Sequence, residues 1–184
     1  MAKAKSDSKR KQEGTLKSWR YLKVPLLFCF LVTLLIFISL IVANNGYLSF
    51  FEIFNAKVAN ILIHLSGVEA RAESNIIYVT NSVWKVDTEC TALTIMIIFT
   101  SFVIVYPATL KPKGMAILMG IPFIFGANMA RLLVMAWIDK LKPAYTEYFH
   151  DYLWQVAFII MVVLMWLIWI EMVVNRERKA ALHR

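Results

Sequence analysis

A thiol, a guanidinium and an imidazole stand at three boundaries between polar and apolar sequence: Cys90, Arg131 and His150. A cysteine thiolate attacks acyl carbon, and a histidine can take the thiol proton and later return it to a leaving amine. Arginine does not give up its proton under ordinary conditions; its fork of donors instead holds a carbonyl oxygen as it becomes an oxyanion, or orients a substrate backbone. Together the three residue types describe acyl transfer through a thioester. Asp87-Thr88-Glu89-Cys90-Thr91-Ala92-Leu93-Thr94 is where a polar segment turns apolar, which puts Cys90 at the mouth of a membrane helix. A helix N-terminus and a nearby guanidinium both favour a thiolate.

Spacing gives these residues companions. Thr94 and Ser101 follow Cys90 at helical intervals and are expected on its face, and Asn128 shares a face with Arg131. An arginine inside a span is costly and almost always faces protein or water, so the two faces should look at each other. Thr91 and Glu89 flank the thiol as supporting residues. Each residue also has a plainer reading. A lone membrane cysteine is usually a small apolar filler, which is how Cys29 reads. Arg131 could pair with Asp139, and His150 could contact lipid headgroups. His64 is a rival base but belongs to a polar stripe, and His183 lies in the basic tail. The carboxylates of Asp87 and Glu89 oppose a thiolate if they are close, unless they serve the substrate or pair with Arg131. The two cysteines show neither CxxC nor metal-ligand spacing, so no disulfide framework, zinc site or other cofactor is expected.

The elements that must position these groups follow from composition. Hydrophobic residues make up 60% of the 184 and charged residues 17%, whereas charged residues are about a quarter of a soluble domain. This is an integral membrane protein. The net charge of +8 is concentrated in the tails and one short loop, the positive-inside pattern rather than a nucleic-acid groove. Residues 1–23 form a basic cytoplasmic arm, expected to be disordered; 24–174 form one transmembrane bundle; 175–184 form a basic cytoplasmic tail. Spans are expected at Val24–Ala43, Cys90–Pro107, Met115–Trp137 and Tyr152–Val174, with Lys111–Gly114 a compact basic turn. Gly120, Pro122 and Gly126 should allow close helix approach and a kink.

Between the first two spans, apolar residues from Leu48 to Leu65 recur every three or four positions, with Lys57, Asn60 and His64 on another face. This predicts an amphipathic helix at the interface or packed on the bundle. Ile76–Val79 and Val83–Val86 predict a short β-hairpin, and Asp139–Asp151 a polar connection carrying Tyr145 and Tyr148. The fold class is all-α integral membrane: four transmembrane helices plus an external amphipathic helix and a short external hairpin. Four crossings keep both tails and the Lys111/Lys113 turn inside. The same parity brings Cys90, Arg131 and His150 to the external face.

Glu89-Cys90-Thr91-Ala92 opening a span, Asn128-Met129-Ala130-Arg131 late in the next and His150 entering the last together resemble the exosortase and archaeosortase family of membrane transpeptidases. The chain looks like a compact subtype, without the additional N-terminal spans of larger members. The family usually carries glycine two residues after its cysteine, where this chain has Ala92. The resemblance implies Cys90 as nucleophile, Arg131 as stabiliser of the tetrahedral intermediate and His150 as acid/base. It implies cleavage of C-terminal sorting signals of the PEP-CTERM type on exported, membrane-anchored proteins, with transfer to an unidentified amine or to water. The alternative is a non-enzymatic membrane subunit in which Arg131 organises a helix interface.

Overall fold

An uncharged run following Lys23 demands a helix, because the hydrocarbon core offers backbone groups no partner outside their own segment. The computed structural model describes residues 2–80, 82–141, 153–175 and 179, with side chains from Lys23 onward. Helix α1 runs Ala2–Asn44, and its Lys23–Asn44 portion is long and apolar enough to cross a membrane. The helix therefore starts well inside the basic arm. It packs on the later helices through Phe28, whose ring meets Phe102 and Trp166 edge-on. Phe102 and Trp166 in turn stack at 4.3 Å.

Gly46, at φ +76°, lets the chain turn back after α1. Helix α2 spans Ser49–Leu65, within the stretch expected to be amphipathic. It packs on the rest of the protein through Asn55, Ala56, Ala59 and Ile63. Small residues allow that close approach. Phe54, Ile61 and Leu65, members of the apolar stripe, point outward. The helix ends in a Schellman motif: Gly67 (φ +85°) donates to His64 O and Val68 to Ile63 O. Val68 and Ile63 are then buried in the same cluster.

The chain next forms an antiparallel meander of β1 (Ala70–Glu73), β2 (Ile76–Val79) and β3 (Val83–Lys85). Strands β2 and β3 form the expected hairpin. Strand β1 is an addition. Ala70-Arg71-Ala72-Glu73 lacks β-branched or aromatic residues, and its pairing from Ala70↔Val79 to Glu73↔Ile76 is imposed by tertiary contact. Ile77, Val79 and Val86 pack with Ala56, Ala59 and Ile63 of α2 and with Met129, Leu132 and Ala136 of α4 (Leu110–Leu141) in one core. The sheet and α2 thus clasp one end of α4.

Helix α3 covers Leu93–Val105, 13 residues, or about 20 Å of rise. It is shorter than the expected second span because the residues before Leu93 are not α-helical. Helix α4 covers Leu110–Leu141, 32 residues, about 48 Å. It exceeds the expected third span at both ends. Lys111–Gly114 is its opening rather than a turn, since Pro112 sits early in the helix, where an N–H would lack an intrahelical partner anyway. The turn itself is Tyr106–Thr109. At the far end Asp139 is not in a polar connection: it is a buried helical residue, and its carboxylate accepts a hydrogen bond from Ser82 in the β2–β3 connection. Helix α5 spans Trp154–Trp169 and continues as a π-helical turn over Ile170–Val174. Trp169 Nε1 donates to Pro112 O at 3.0 Å, tying α5 to the start of α4.

The protein is thus mostly helical with a small sheet, and three described helices can cross a membrane: Lys23–Asn44, Leu110–Leu141 and Trp154–Val174. The expected second span is the shorter apolar helix α3. A second core, formed by Met96, Phe99, Val103, Ile124, Val162 and Trp169, joins α3, α4 and α5. Gly120 leaves room there for the Phe99 ring, because a Cβ would lie 2.3 Å from it and force it to move. Gly126 would meet nothing within 4 Å. Gly120→Leu is therefore expected to destabilise the bundle by about 2 kcal/mol or more, while Gly126→Ala is tolerated. Thermal unfolding of the two variants in detergent checks the contrast.

Candidate active site

The nucleophile candidate sits in a tight turn, not on a helix. After β3 the chain is extended at Asp87 and then forms a 3-10 turn over Thr88–Thr91, in which Cys90 N donates to Asp87 O at 2.8 Å. Thr91 is fully buried, and its hydroxyl donates to Thr88 O at 2.6 Å. Ala92 follows in the left-handed region, φ +58° and ψ 16°, and only then does α3 begin. That break removes Cys90 from the helical face expected to carry Thr94 and Ser101. Left-handed backbone costs a residue with a Cβ about 1 kcal/mol, and glycine escapes that cost. The alanine holds the same conformation with its methyl buried in the core that joins α3, α4 and α5.

Two neighbours hold the turn from outside. Asn128 of α4 is fully buried and donates through Nδ2 to Cys90 O at 2.8 Å. Glu52 of α2 accepts from Thr88 Oγ1 at 2.8 Å and from Asn75 Nδ2 at 3.3 Å. Asn75 continues the brace, because its carbonyl accepts from Val86 N at 2.7 Å. Asp87 lies in a salt bridge with Lys85 at 2.8 Å. Its hydrogen bond and charge hold the Lys85 ammonium above its ordinary range, and Glu52 adds to the effect. The negative charge of Asp87 is therefore met by Lys85.

Cys90, Glu89, Ala92, Thr94 and Ile95 form one side of a cavity of about 440 Å³. Arg131 enters from α4, and Trp154, Gln155 and Phe158 of α5 close the other side. Arg131 is 9% exposed, and among the described residues its Nε has no partner and it forms no salt bridge. Asp139, its plainer partner, is bonded to Ser82 instead. The guanidinium and the Cys90 thiol line the same cavity. A buried cation that shares a cavity with a thiol, its Nε without a partner among the described residues, can receive negative charge that develops on a bound carbonyl oxygen.

Of the expected site residues, Cys90, Glu89, Thr94 and Arg131 share the cavity, while Thr91 and Asn128 support the turn from behind. His150 lies outside the described residues, as do Tyr145 and Tyr148. His64 is exposed on α2. Ser101 is buried within α3, and its hydroxyl has no partner among the described residues. Glu52 and Trp154 were not among the expected residues. Glu52 did carry a signal, as the sole carboxylate of an amphipathic helix. Glu52→Ala is expected to lower stability by about 2 kcal/mol, because two donors to a charged acceptor lose their partner. Glu52→Gln keeps an acceptor and should recover part of the loss. Thermal unfolding of both variants in detergent measures the loss and the recovery.

No curated protein and no solved structure matches the chain. The family model described as transmembrane exosortase matches residues 14–169. That match spans the first apolar helix, the Cys90 turn, the Arg131 helix and most of the last span. The chain belongs to the transmembrane exosortase family, whose membership suggests a membrane enzyme that processes sorting signals.

Proposed function

We propose that the protein is a membrane cysteine peptidase or transpeptidase that cuts the C-terminal sorting signal, of PEP-CTERM type, from exported proteins on the external face of the membrane. The observation that carries this reading is the shared cavity of Cys90 and a buried Arg131 that has no salt-bridge partner among the described residues. The thiolate attacks the scissile carbonyl carbon, and the oxygen takes up negative charge opposite the Arg131 guanidinium. His150 is assigned to the proton, taking it from the thiol and delivering it to the leaving amine as the peptide C–N bond breaks. A thioester remains on Cys90. An amine or water then attacks it and frees the thiol. Glu89 and Thr94 are assigned to the substrate side of the cavity, and Asn128 and Thr91 to the turn behind the thiol.

In this reading α3 is a fourth crossing and both termini are cytoplasmic, with α2, the sheet and the Cys90 turn outside. Non-helical backbone at membrane depth is tolerated where protein covers it or it lines a cavity, and the Thr88–Thr91 turn has both kinds of surroundings. The substrate's apolar helix docks laterally against the bundle, and its basic tail stays in the cytoplasm. A membrane-impermeant thiol reagent added outside intact cells should modify Cys90 at least tenfold faster than Cys29, which lies within the α1 span. Equal labelling of the two, or labelling of Cys90 only from the cytoplasmic side, overturns the assignment.

A further inference from the structure

The sheet leaves one edge open beside the nucleophile. Strand order is β1-β2-β3, so β3 has a single neighbour within the sheet, and no other described element makes an extensive contact with it. In an antiparallel pair successive residues turn their backbone groups alternately toward and away from the partner strand. Ser82 exchanges both bonds with Val79, and Val86 N donates to Asn75 O. Residues 82, 84 and 86 therefore face β2, and Val83 and Lys85 direct their N–H and C=O groups to the open side. Val83 is 63% exposed. The outward carbonyl of Lys85 lies 4.0 Å from Cys90 Sγ, so the free edge runs directly to the thiol.

We propose that this edge takes an extended segment of the protein to be cut as a fourth strand, and delivers its scissile peptide bond to Cys90. The inference rests on the peptidase reading and adds to it the way the substrate is held. A guest strand pairing with Val83 and Lys85 advances by about 3.3 Å per residue. Its next residues therefore pass the sulfur and enter the cavity shared with Arg131. Main-chain bonds supply the affinity in such an addition and ask only that the guest be extended. Every second guest residue turns its N–H and C=O toward β3, and the residues between turn theirs away. Recognition should show that period of two.

The test uses the precursor that accumulates in cells carrying Cys90→Ala, and synthetic peptides spanning its cut, assayed with the full-length wild-type protein in nanodiscs. Single backbone N-methylation is moved along the peptide. Methyl groups at alternate positions on one side of the cut should lower kcat/KM by about tenfold, and those between by less than about twofold. Val83→Pro removes an outward N–H from an edge strand, where proline is tolerated, and should raise KM about tenfold. Val83→Thr keeps the N–H and should behave as wild type. Iodoacetamide labelling of Cys90, which needs no docked strand, should be equal in both variants.

Cutting by the wild type with no period-two pattern, or with KM unaffected in Val83→Pro, overturns strand addition and leaves the peptidase reading intact. Concentration-dependent disulfide cross-linking of Val83→Cys without peptide assigns the edge to a second copy of the chain and likewise overturns it. If Cys90→Ala cells accumulate no precursor, the peptidase reading falls and takes this inference with it.

Discussion

A Cys90→Ala chain is expected to insert and fold as the wild type does while leaving its precursor uncut. Among the described residues the thiol's hydrogen bond is the weak 4.0 Å approach to Lys85 O, so removing it forfeits little hydrogen bonding. The turn itself is held by backbone and by Thr88, Thr91 and Asn128 rather than by the thiol. Stability should change by less than about 1 kcal/mol. Processing should fall by a factor of about 10³ or more, because no other group can form the thioester. A gel shift of the precursor in membranes, beside a thermal melt of the variant, separates chemistry from folding. Normal processing by Cys90→Ala ends the nucleophile assignment.

Arg131→Lys tests the other half of the cavity. Lysine keeps the charge but offers a single compact ammonium on a flexible stem, whereas the guanidinium presents planar donors in a fixed fork. Arg131 is 91% buried by its exposure of 9%, and its neighbours fix where a donor can stand. Loss of one well-placed oxyanion donor typically costs about 10² to 10³ in rate. The same loss is expected here in kcat, with precursor binding little changed. Single-turnover cutting at saturating precursor measures it. If Arg131→Lys retains most of its activity, charge alone is what the site requires.

Much of this arrangement was legible in the chain because hydropathy and charge are strong signals. Lys23–Asn44 and Trp154–Val174 stand out as apolar runs, and the approach of Cys90 to Arg131 follows from which ends of the spans face the same way. The hairpin was legible from Ile76-Ile77-Tyr78-Val79 and Val83-Trp84-Lys85 because β-branched and aromatic residues are concentrated there. Strand β1 was not, since Ala70–Glu73 has no strand preference and pairs because β2 lies beside it. The ends of α4 were misjudged for a related reason. Lys111 and Asp139 look like loop residues by polarity, yet Asp139 is satisfied inside the protein by Ser82, 57 positions earlier. The helical face shared by Cys90 and Ser101 was broken by a single backbone conformation, the left-handed Ala92, which alanine does not announce. Glu52 was overlooked because its partners, Thr88 and Asn75, become neighbours only once α2 folds back over the turn.

Asn128 and Arg131 occupy one turn of the same long helix, the first bonded to the carbonyl of Cys90 and the second facing its sulfur across the cavity. Any tilt that α4 adopts to match a thicker or thinner bilayer therefore carries the guanidinium and the thiol's turn as one rigid unit. The opposite wall, from Trp154 to Phe158, belongs to a different span and shares none of that tether. Lipid length should thus widen or narrow the entrance for a substrate while leaving the separation of the reacting groups unaltered.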